Sequence, residues 1–396
     1  IFRRITPSSC LLCGALSNAD PLCPGCLAEL PWHRQQKCPQ CALPTPDGRV
    51  TWASFTTDAG YLANIREIVD PAKIDIVVAN HSELDHAGSL PTVMRHCPNA
   101  EVVVSKMGAA SVPGHFHESW KFRTVKTGDR INIGANDLVF VEAPMLHWPD
   151  SMFTYLTGSK VLIPNDAFGQ HYATGFRFND EVDQEELFEE CLKYYANILT
   201  PFSDRVAKKI DEVLALGLPV DMIAPSHGVI WRKDPLQIVG KYREWARQIP
   251  ETRAVILFDT MWDATRRMAE AIGEGIAETG VPHKVVNLAV TDRNDVLVDV
   301  FRSRAVLVGS STINNGPLPT IMPVMTDIKG LKFKNKKASS FGCYGWSGEA
   351  VKRMHEDLAK AGFSMVGEGL KTLWEPGDQE LTHARAFGET FVSLVR

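Results

Sequence analysis

HSELDHAGSLP, residues 81–91, sets His81, Glu83, Asp85 and His86 within six positions, directly behind the apolar run 74–79. Buried carboxylates must be paired or coordinated, so four metal-competent side chains in such a loop have no cheap structural use. They predict a metal site. Three more candidates stand at strand ends further along: His147 in MLHWPDS, Asp166 in PNDAFGQH and His227 in APSHG. A single histidine after a strand is more often an ordinary core or surface residue. Loops at one edge of a packed sheet converge, however, so ligands remote in sequence can meet. Seven donors are too many for one ion and suit two that share a carboxylate. Three carboxylates, four imidazoles and no thiolate form a harder, more anionic cage than a histidine-rich di-zinc site, which favours iron or manganese. Glu83 is the informative residue, because hydrolases that build a two-metal site from a similar loop usually carry histidine there.

The chain around this loop has 396 residues, 44% of them hydrophobic, a length that exceeds one core and predicts two domains with room for a small third. With 42 basic and 47 acidic residues and a net charge of -5, it lacks the electrostatic footprint of a nucleic-acid or anionic-membrane binder. No apolar stretch reaches the ~18 residues of a membrane span, and no charged-then-apolar signal peptide opens the sequence. The expected location is cytoplasmic.

Along the chain, YLANIREIV reads as a helix, KIDIVVAN as a strand, SLPTVMRHC as a helix and EVVVS as a strand. RINIGANDLVFVEAP and FTYLTGSKVLIPND each read as two short strands about a glycine-containing turn. Helices are expected over 184–199 and 203–216, and a last apolar run, VDMIAP, ends at Ser226, His227 and Gly228. RQIPETR, residues 247–253, is polar, is broken by Pro250 and reads as a linker. Beyond it AVILFD, HKVVNLAV, AVLVGSS, KASSFG and LKTLW read as strands, separated by helices near 263–278, 318–328, 348–361 and 379–394. Such alternation predicts a doubly wound parallel sheet.

After AVILFD, the stretch TMWDATRRMAEAIGEGI leads from Thr260 through Met261, Trp262, Asp263 and Ala264 to Thr265 and into an amphipathic helix. Backbone N–H groups at a helix start, with two hydroxyls, can cradle a phosphate, and the helix dipole favours the anion. The plain alternative is a capped helix with Thr265 exposed. Two further loops lie on the same sheet edge, since parallel strands present their C-terminal ends together. One is GSSTINNGPLP, with Ser310, Ser311, Thr312, Asn314, Asn315 and Gly316. The other is FGCYGWSGE, with Gly342, Cys343, Tyr344, Gly345, Trp346, Ser347 and Gly348. Trp262, Tyr344 and Trp346 can flank a flat ring system, with glycines letting backbone approach its polar edge. No G-x-G-x-x-G occurs, so FMN is favoured over NAD or FAD.

From residue 61 onward these features resemble the flavodiiron proteins, a metallo-β-lactamase-like αββα sandwich followed by a flavodoxin-like domain. The resemblance implies that His81, Glu83 and His147 hold one iron and that Asp85, His86 and His227 hold the other. Asp166 then bridges them, and the residue matching His86 is unbound in some members. It implies FMN as the flavin, and either four-electron reduction of dioxygen to water or two-electron reduction of nitric oxide to nitrous oxide. Also implied are an electron-donor protein such as a rubredoxin or its reductase, and a head-to-tail homodimer or tetramer that brings one subunit's flavin to the other's irons. The early strands of the family's lactamase-like sheet are not visible before residue 61, so an open sheet edge is expected.

Of nine cysteines, six form three C-x-x-C pairs before residue 42, while Cys97, Cys191 and Cys343 are scattered and read as small buried hydrophobes. Cys10, Cys13, Cys23 and Cys26 have the spacing of a four-thiolate zinc site in a segment too small to fold without one. CLLCG, PLCPGCLAELPW and CPQCALP resemble the N-terminal zinc-finger segment of ComF-family competence proteins; the phosphoribosyltransferase domain that follows there is not visible. Pairing CLLCG with CPQCA as a rubredoxin-like iron site would leave Cys23 and Cys26 over. The expected organisation is a zinc-ribbon-like segment over 1–50, a lactamase-like diiron domain over 51–248 and an FMN-binding domain over 251–396. The readings to weigh against a flavodiiron oxidoreductase are a di-zinc hydrolase and a non-catalytic zinc-ribbon interaction protein.

Overall fold

The computed structural model describes residues 58–395 apart from Ala135, together with the two-residue strands Ser8–Ser9 and Leu16–Ser17, which pair antiparallel. The zinc site expected at Cys10, Cys13, Cys23 and Cys26 lies outside the described residues.

Val102, Val103 and Val104 are wholly buried, so the strand Glu101–Ser105 needs cover on both faces, as a β-branched strand inside a parallel sheet does. It runs between Ile76–Ala79 and Phe122–Val125, parallel to both. Val102 and Val104 pack under helices Asp58–Ile68, Leu90–His96 and Gly108–Phe116. Val103 turns the other way, onto Ile131, Leu138, Phe140 and Met152 of a second sheet. That sheet has the order Met222–Ile223, Val161–Ile163, Met152–Leu156, Asp137–Glu142, Arg130–Asn132. Its outer face is covered by helices Gln184–Tyr194, Ser203–Ala215 and Leu236–Trp245 around the buried rings of Trp231 and Tyr242. The four layers are the expected αββα sandwich. Among the described residues, Ile76–Ala79 has a strand neighbour on one side only.

The second half has the parallel order His283–Asn287, Glu251–Asp259, Ser303–Ser310, Lys337–Tyr344, with Ser364–Met365 and Leu370–Leu373 both on the last of these. This is the 2-1-3-4-5 order of flavodoxin-like sheets. Helices Arg293–Arg302, Ile321–Leu331 and Glu349–Lys360 cover one face, and Ala264–Glu278 and Asp378–Ser393 the other. The sequence reading has no helix at Gly108–Phe116, Leu236–Trp245 or Arg293–Arg302. In the first, two glycines and Pro113 blur the apolar period.

The expected linker is also different. The strand Glu251–Asp259 begins inside it, and Gln248 is 5% exposed. Gln248 donates to Thr200 O at 3.2 Å and Ser203 Oγ at 3.1 Å, while its own side-chain oxygen accepts from Lys334 N at 2.9 Å. The segment is a clasp between the halves rather than a tether.

Helices Ala264–Glu278 and Asp378–Ser393 cross with their backbones in contact. A Cβ at Gly388 would lie 2.2 Å from Ile272 O, and one at Gly275 would lie 2.0 Å from Arg385 O. Alanine normally stabilises a helix interior relative to glycine. Gly388→Ala should instead destabilise the protein by about 1–3 kcal/mol, the usual effect of forcing a methyl group into a filled site. Urea titration measures it, and an unchanged or higher midpoint would contradict the crossing.

Candidate metal centre and flavin pocket

The strand Ile76–Ala79 hands the chain to His81 and then to a single helical turn, Leu84–Ala87, which presents Asp85 and His86 beside Glu83. Glu83 Oε2 lies 3.2 Å from His81 Nε2 and 3.3 Å from His147 Nε2. Asp85 reaches His86 Nε2 at 3.4 Å through one oxygen and His227 Nε2 at 3.3 Å through the other. Asp166 stands between the two groups. Its Oδ2 is 3.7 Å from both His81 Nε2 and His147 Nε2, and its Oδ1 is 3.0 Å from His86 Nε2 and 3.2 Å from His227 Nε2. All seven side chains singled out in the sequence meet here. His81, Glu83 and His147 have donor atoms within 4.8 Å of one another, as do Asp85, His86 and His227.

Three carboxylates so close together need positive charge among them. Burial opposes the charge of Asp166, but hydrogen bonds from His227 and His86 outweigh it and hold the carboxyl well below its usual range. Burial likewise opposes protonation of His227, and Asp166 and Asp85 override it, raising the imidazole to about 9. His86 Nε2 is buried and faces into the cluster, 3.0 Å from Asp166 Oδ1 and 3.4 Å from Asp85 Oδ1.

Around the donors lies a layer that the sequence reading does not contain. Asp150, 2% exposed, accepts from His81 Nδ1 at 3.0 Å, Ser82 N at 2.8 Å and Ser111 Oγ at 3.0 Å. Burial works against its charge, but these bonds, that from His81 foremost, hold its carboxyl down to about 2. Tyr194 OH donates to Asp166 Oδ1 at 3.0 Å and Asn165 Nδ2 to Asp166 Oδ2 at 2.7 Å. Burial and the Asp166 charge keep the Tyr194 hydroxyl protonated far above its ordinary range. His171 packs edge-on to His227 and Tyr194, with ring centroids at 5.3 and 4.9 Å.

In the second half, a cavity of about 430 Å3 is lined by Met261, Trp262, Ser311, Tyr344, Trp346 and Trp374, with Ala264, Thr312, Asn314, Cys343 and Gly345. Trp262, Trp346 and Trp374 are 80%, 90% and 69% exposed at its mouth. Asn314 and Asn315, at φ 49° and 58°, form the two-residue turn between Thr312–Ile313 and Gly316–Pro317. Thr260 Oγ1 is buried without a hydrogen-bond partner at the start of the loop. Thr265 is neither exposed nor open to a ligand: it is fully buried and bonds Ser311 Oγ at 3.0 Å and Cys343 Sγ at 3.2 Å. Ser310, Asp263, Asn315, Gly316, Gly342, Ser347 and Gly348 are not among the lining residues. Trp374 is absent from the sequence-derived site, although its place at the end of LKTLW, on the edge shared with the other loops, is a usable signal.

Asp150 fixes which nitrogen of His81 faces the cluster, because a carboxylate can only accept and therefore requires the proton on Nδ1. Asp150→Asn offers a donor to that nitrogen and favours the tautomer with the proton on Nε2. Metal affinity should fall by about 10- to 100-fold, read by metal titration of the apoprotein, whereas an unaltered affinity would remove Asp150 from the site.

A family model described as ODP family beta lactamase matches residues 52–228, one described as Flavodoxin matches 256–388, and one described as Double zinc ribbon domain matches 1–54. The anaerobic nitric oxide reductase flavorubredoxin of Vibrio vulnificus is 50% identical over 338 residues, 84% of this chain and 68% of that protein. Its counterpart in Escherichia coli O1:K1 is 52% identical over 332 residues, 83% of this chain and 69% of that protein. Among solved structures, rubredoxin oxygen:oxidoreductase from Desulfovibrio gigas superposes with a TM-score of 0.83 at 35% identity, covering 85% of each chain. The flavodiiron protein from Giardia intestinalis gives 0.81 at 31% identity, covering 85% of this chain and 83% of that one. With two carboxylate–histidine triads around one shared aspartate, a flavodoxin-like partner half and relatives this similar over most of their length, the chain belongs to the flavodiiron protein family.

Proposed function

We propose that this chain is an oxidoreductase that passes electrons from FMN to a diiron centre, where nitric oxide is reduced to nitrous oxide or dioxygen to water. The observation that carries the reading is the division of Asp166, one oxygen toward each triad. The donor set fits two hard, redox-active cations better than zinc, and His86 Nε2, set between Asp85 and Asp166, is placed to join them on an ion. His81, Glu83 and His147 would hold one iron and Asp85, His86 and His227 the other, with Asp166 between them. When bound, two irons would supply the redox chemistry, taking up electrons from the flavin for the gas. The protein holds the geometry: Tyr194 and Asn165 each donate to a different oxygen of Asp166, so the carboxylate cannot swing toward one triad. Asp150 locks His81 through Nδ1, which leaves Nε2 as its donor atom.

FMN fits the cavity of about 430 Å3 in the second half. Its phosphate would meet the free Thr260 hydroxyl and the amides that open the helix Ala264–Glu278, and its ring system would lie among Trp262, Tyr344, Trp346 and Trp374. The exposed tryptophans at the mouth suit a second copy of the chain arranged head to tail. Relatives named flavorubredoxin and rubredoxin oxygen:oxidoreductase support a rubredoxin-type electron donor. The family matches also support three units, over 1–50, 51–248 and 251–396, the first with zinc on Cys10, Cys13, Cys23 and Cys26. Among the described residues, no helix is long and apolar enough to cross a membrane.

The purified protein, made with iron available, should be yellow, hold about two irons per chain, and consume nitric oxide or dioxygen when given a reduced rubredoxin. Glu83→His should shift the metal content toward zinc and abolish gas reduction. Zinc alone at this centre, with ester or lactam hydrolysis, would identify a di-zinc hydrolase instead. Thr260→Ala should weaken FMN by ~1.5–3 kcal/mol, the worth of a hydrogen bond to a charged group, followed by flavin fluorescence during dialysis. Full retention of the flavin would place the phosphate elsewhere.

A further inference from the structure

Behind the metal centre, between the five-stranded sheet and the helices Ser203–Ala215 and Leu236–Trp245, lies a second cavity of about 80 Å3. Its inner wall is Leu146, Ala167 and Phe168. Leu146 is bonded to His147 and Ala167 to Asp166, so this wall stands one residue from two of the metal-binding side chains. Its middle is formed by Val206 and Ile210, both buried. At its outer end are Leu214, Leu216 and Leu236, which are 45%, 44% and 47% exposed. The cavity therefore extends from half-exposed leucines at the surface to the back of the ligand loops.

Its chemistry excludes most occupants. Lys209 spends its ammonium on Glu142 O and Glu212 Oε2, each at 2.7 Å, and Tyr155 OH donates to Pro219 O. Tyr242 OH, on a residue 1% exposed, donates to no protein group, and the Phe168 backbone stands against its oxygen. One free donor among aliphatic walls cannot hold a water, which needs two to four polar partners, and apolar cavities of this kind stay dry and take up xenon. The volume is far below the ~300 Å3 at which pockets begin to admit organic ligands. What remains is a small, nearly apolar molecule able to accept one weak hydrogen bond.

We propose that this cavity binds the diatomic gas, nitric oxide or dioxygen, and delivers it to the metal centre past Leu146 and Phe168. The inference rests on the function proposed above, and xenon, which needs no iron to bind, separates the two. Crystals of the full chain pressurised with xenon should hold xenon between Phe168 and Ile210, with iron content measured on the same preparation. A cavity free of xenon in iron-loaded crystals overturns the proposal and leaves the oxidoreductase reading intact. Xenon in protein that takes up no iron sinks that reading and the delivery step with it, leaving only an apolar cavity that admits a gas. Val206→Phe fills the middle of the cavity without touching either cofactor site. It should exclude xenon and slow the combination of gas with the reduced protein about tenfold, at unchanged iron and FMN content. Should that variant fail to fold, Val206→Leu supplies the same comparison with a smaller effect. Exclusion of xenon with an unchanged rate of gas combination means the gas arrives by another way, and the delivery proposal falls.

Discussion

A carboxylate that is 1% exposed survives in a protein interior only if its charge is answered from every side, and Asp166 is answered by four imidazoles, a phenol and an amide. Those partners come from five separate stretches of chain, so the constraint reaches through the whole sandwich. His81 and His86 arrive from the three-stranded sheet, while His147, Asn165 and His227 arrive from the five-stranded one and Tyr194 from the helix that covers it. Gln170 then staples the loop that carries Asp166 to the loop that carries His227: its side-chain oxygen accepts from Val229 N at 2.5 Å. The staple leaves no room for a side chain at Gly228, where a Cβ would fall 1.5 Å from Gln170 Oε1.

Chemistry that needs unusual residue types was legible in the sequence, and chemistry that needs only ordinary ones was not. HSELDH is conspicuous because four metal-competent side chains crowd one loop, and His147, Asp166 and His227 follow because each closes an apolar run. Asp150, Tyr194 and His171 carry no such mark. Asp150 sits in the same MLHWPDS stretch as His147 but matters only because folding brings it against His81. Tyr194 lies in an amphipathic helix, where an aromatic residue normally means core. Of the secondary structure, most strands and helices follow their apolar period, while the strand Phe122–Val125 and the helices Leu236–Trp245 and Arg293–Arg302 were not read from it. Gly108–Phe116 did not follow it, because glycine and proline are poor helix formers that tertiary packing overrode.

The segment between the halves teaches the same lesson in reverse. Proline and charge over 247–253 are what a tether looks like locally, yet Gln248 reaches Thr200 and Ser203 on one side and Lys334 on the other. Lys334 Nζ also pairs with Asp204 at 2.8 Å. Leu192 and Ala196 pack with Val298, Trp245 and Phe301 in one apolar cluster drawn from both halves. None of these partners lies within thirty residues of Gln248 except Trp245, so no local window could have found them. A clasp built of buried amide hydrogen bonds and apolar contact sets the orientation of one half on the other, which a flexible tether would leave free.

An edge strand is a weak support for a ligand loop, and Ile76–Ala79 has one strand neighbour among the described residues. The loop that follows is held from across the sandwich instead. Asn80 accepts from Met152 N at 2.9 Å through its backbone and from Thr154 Oγ1 at 2.7 Å through its side chain, and its amide donates to Ile163 O at 3.3 Å. Asp150, from the turn before Met152–Leu156, takes His81 and Ser82. The first ligands are thus anchored to the same strands that lead to Asp166, which ties both triads to the five-stranded sheet. The fully buried core behind that sheet, with Leu187, Tyr195, Trp231 and Ile238 at its centre, gives it the rigidity to act as the frame. Ligand geometry therefore depends less on the three-stranded sheet than the position of HSELDH at its edge would suggest.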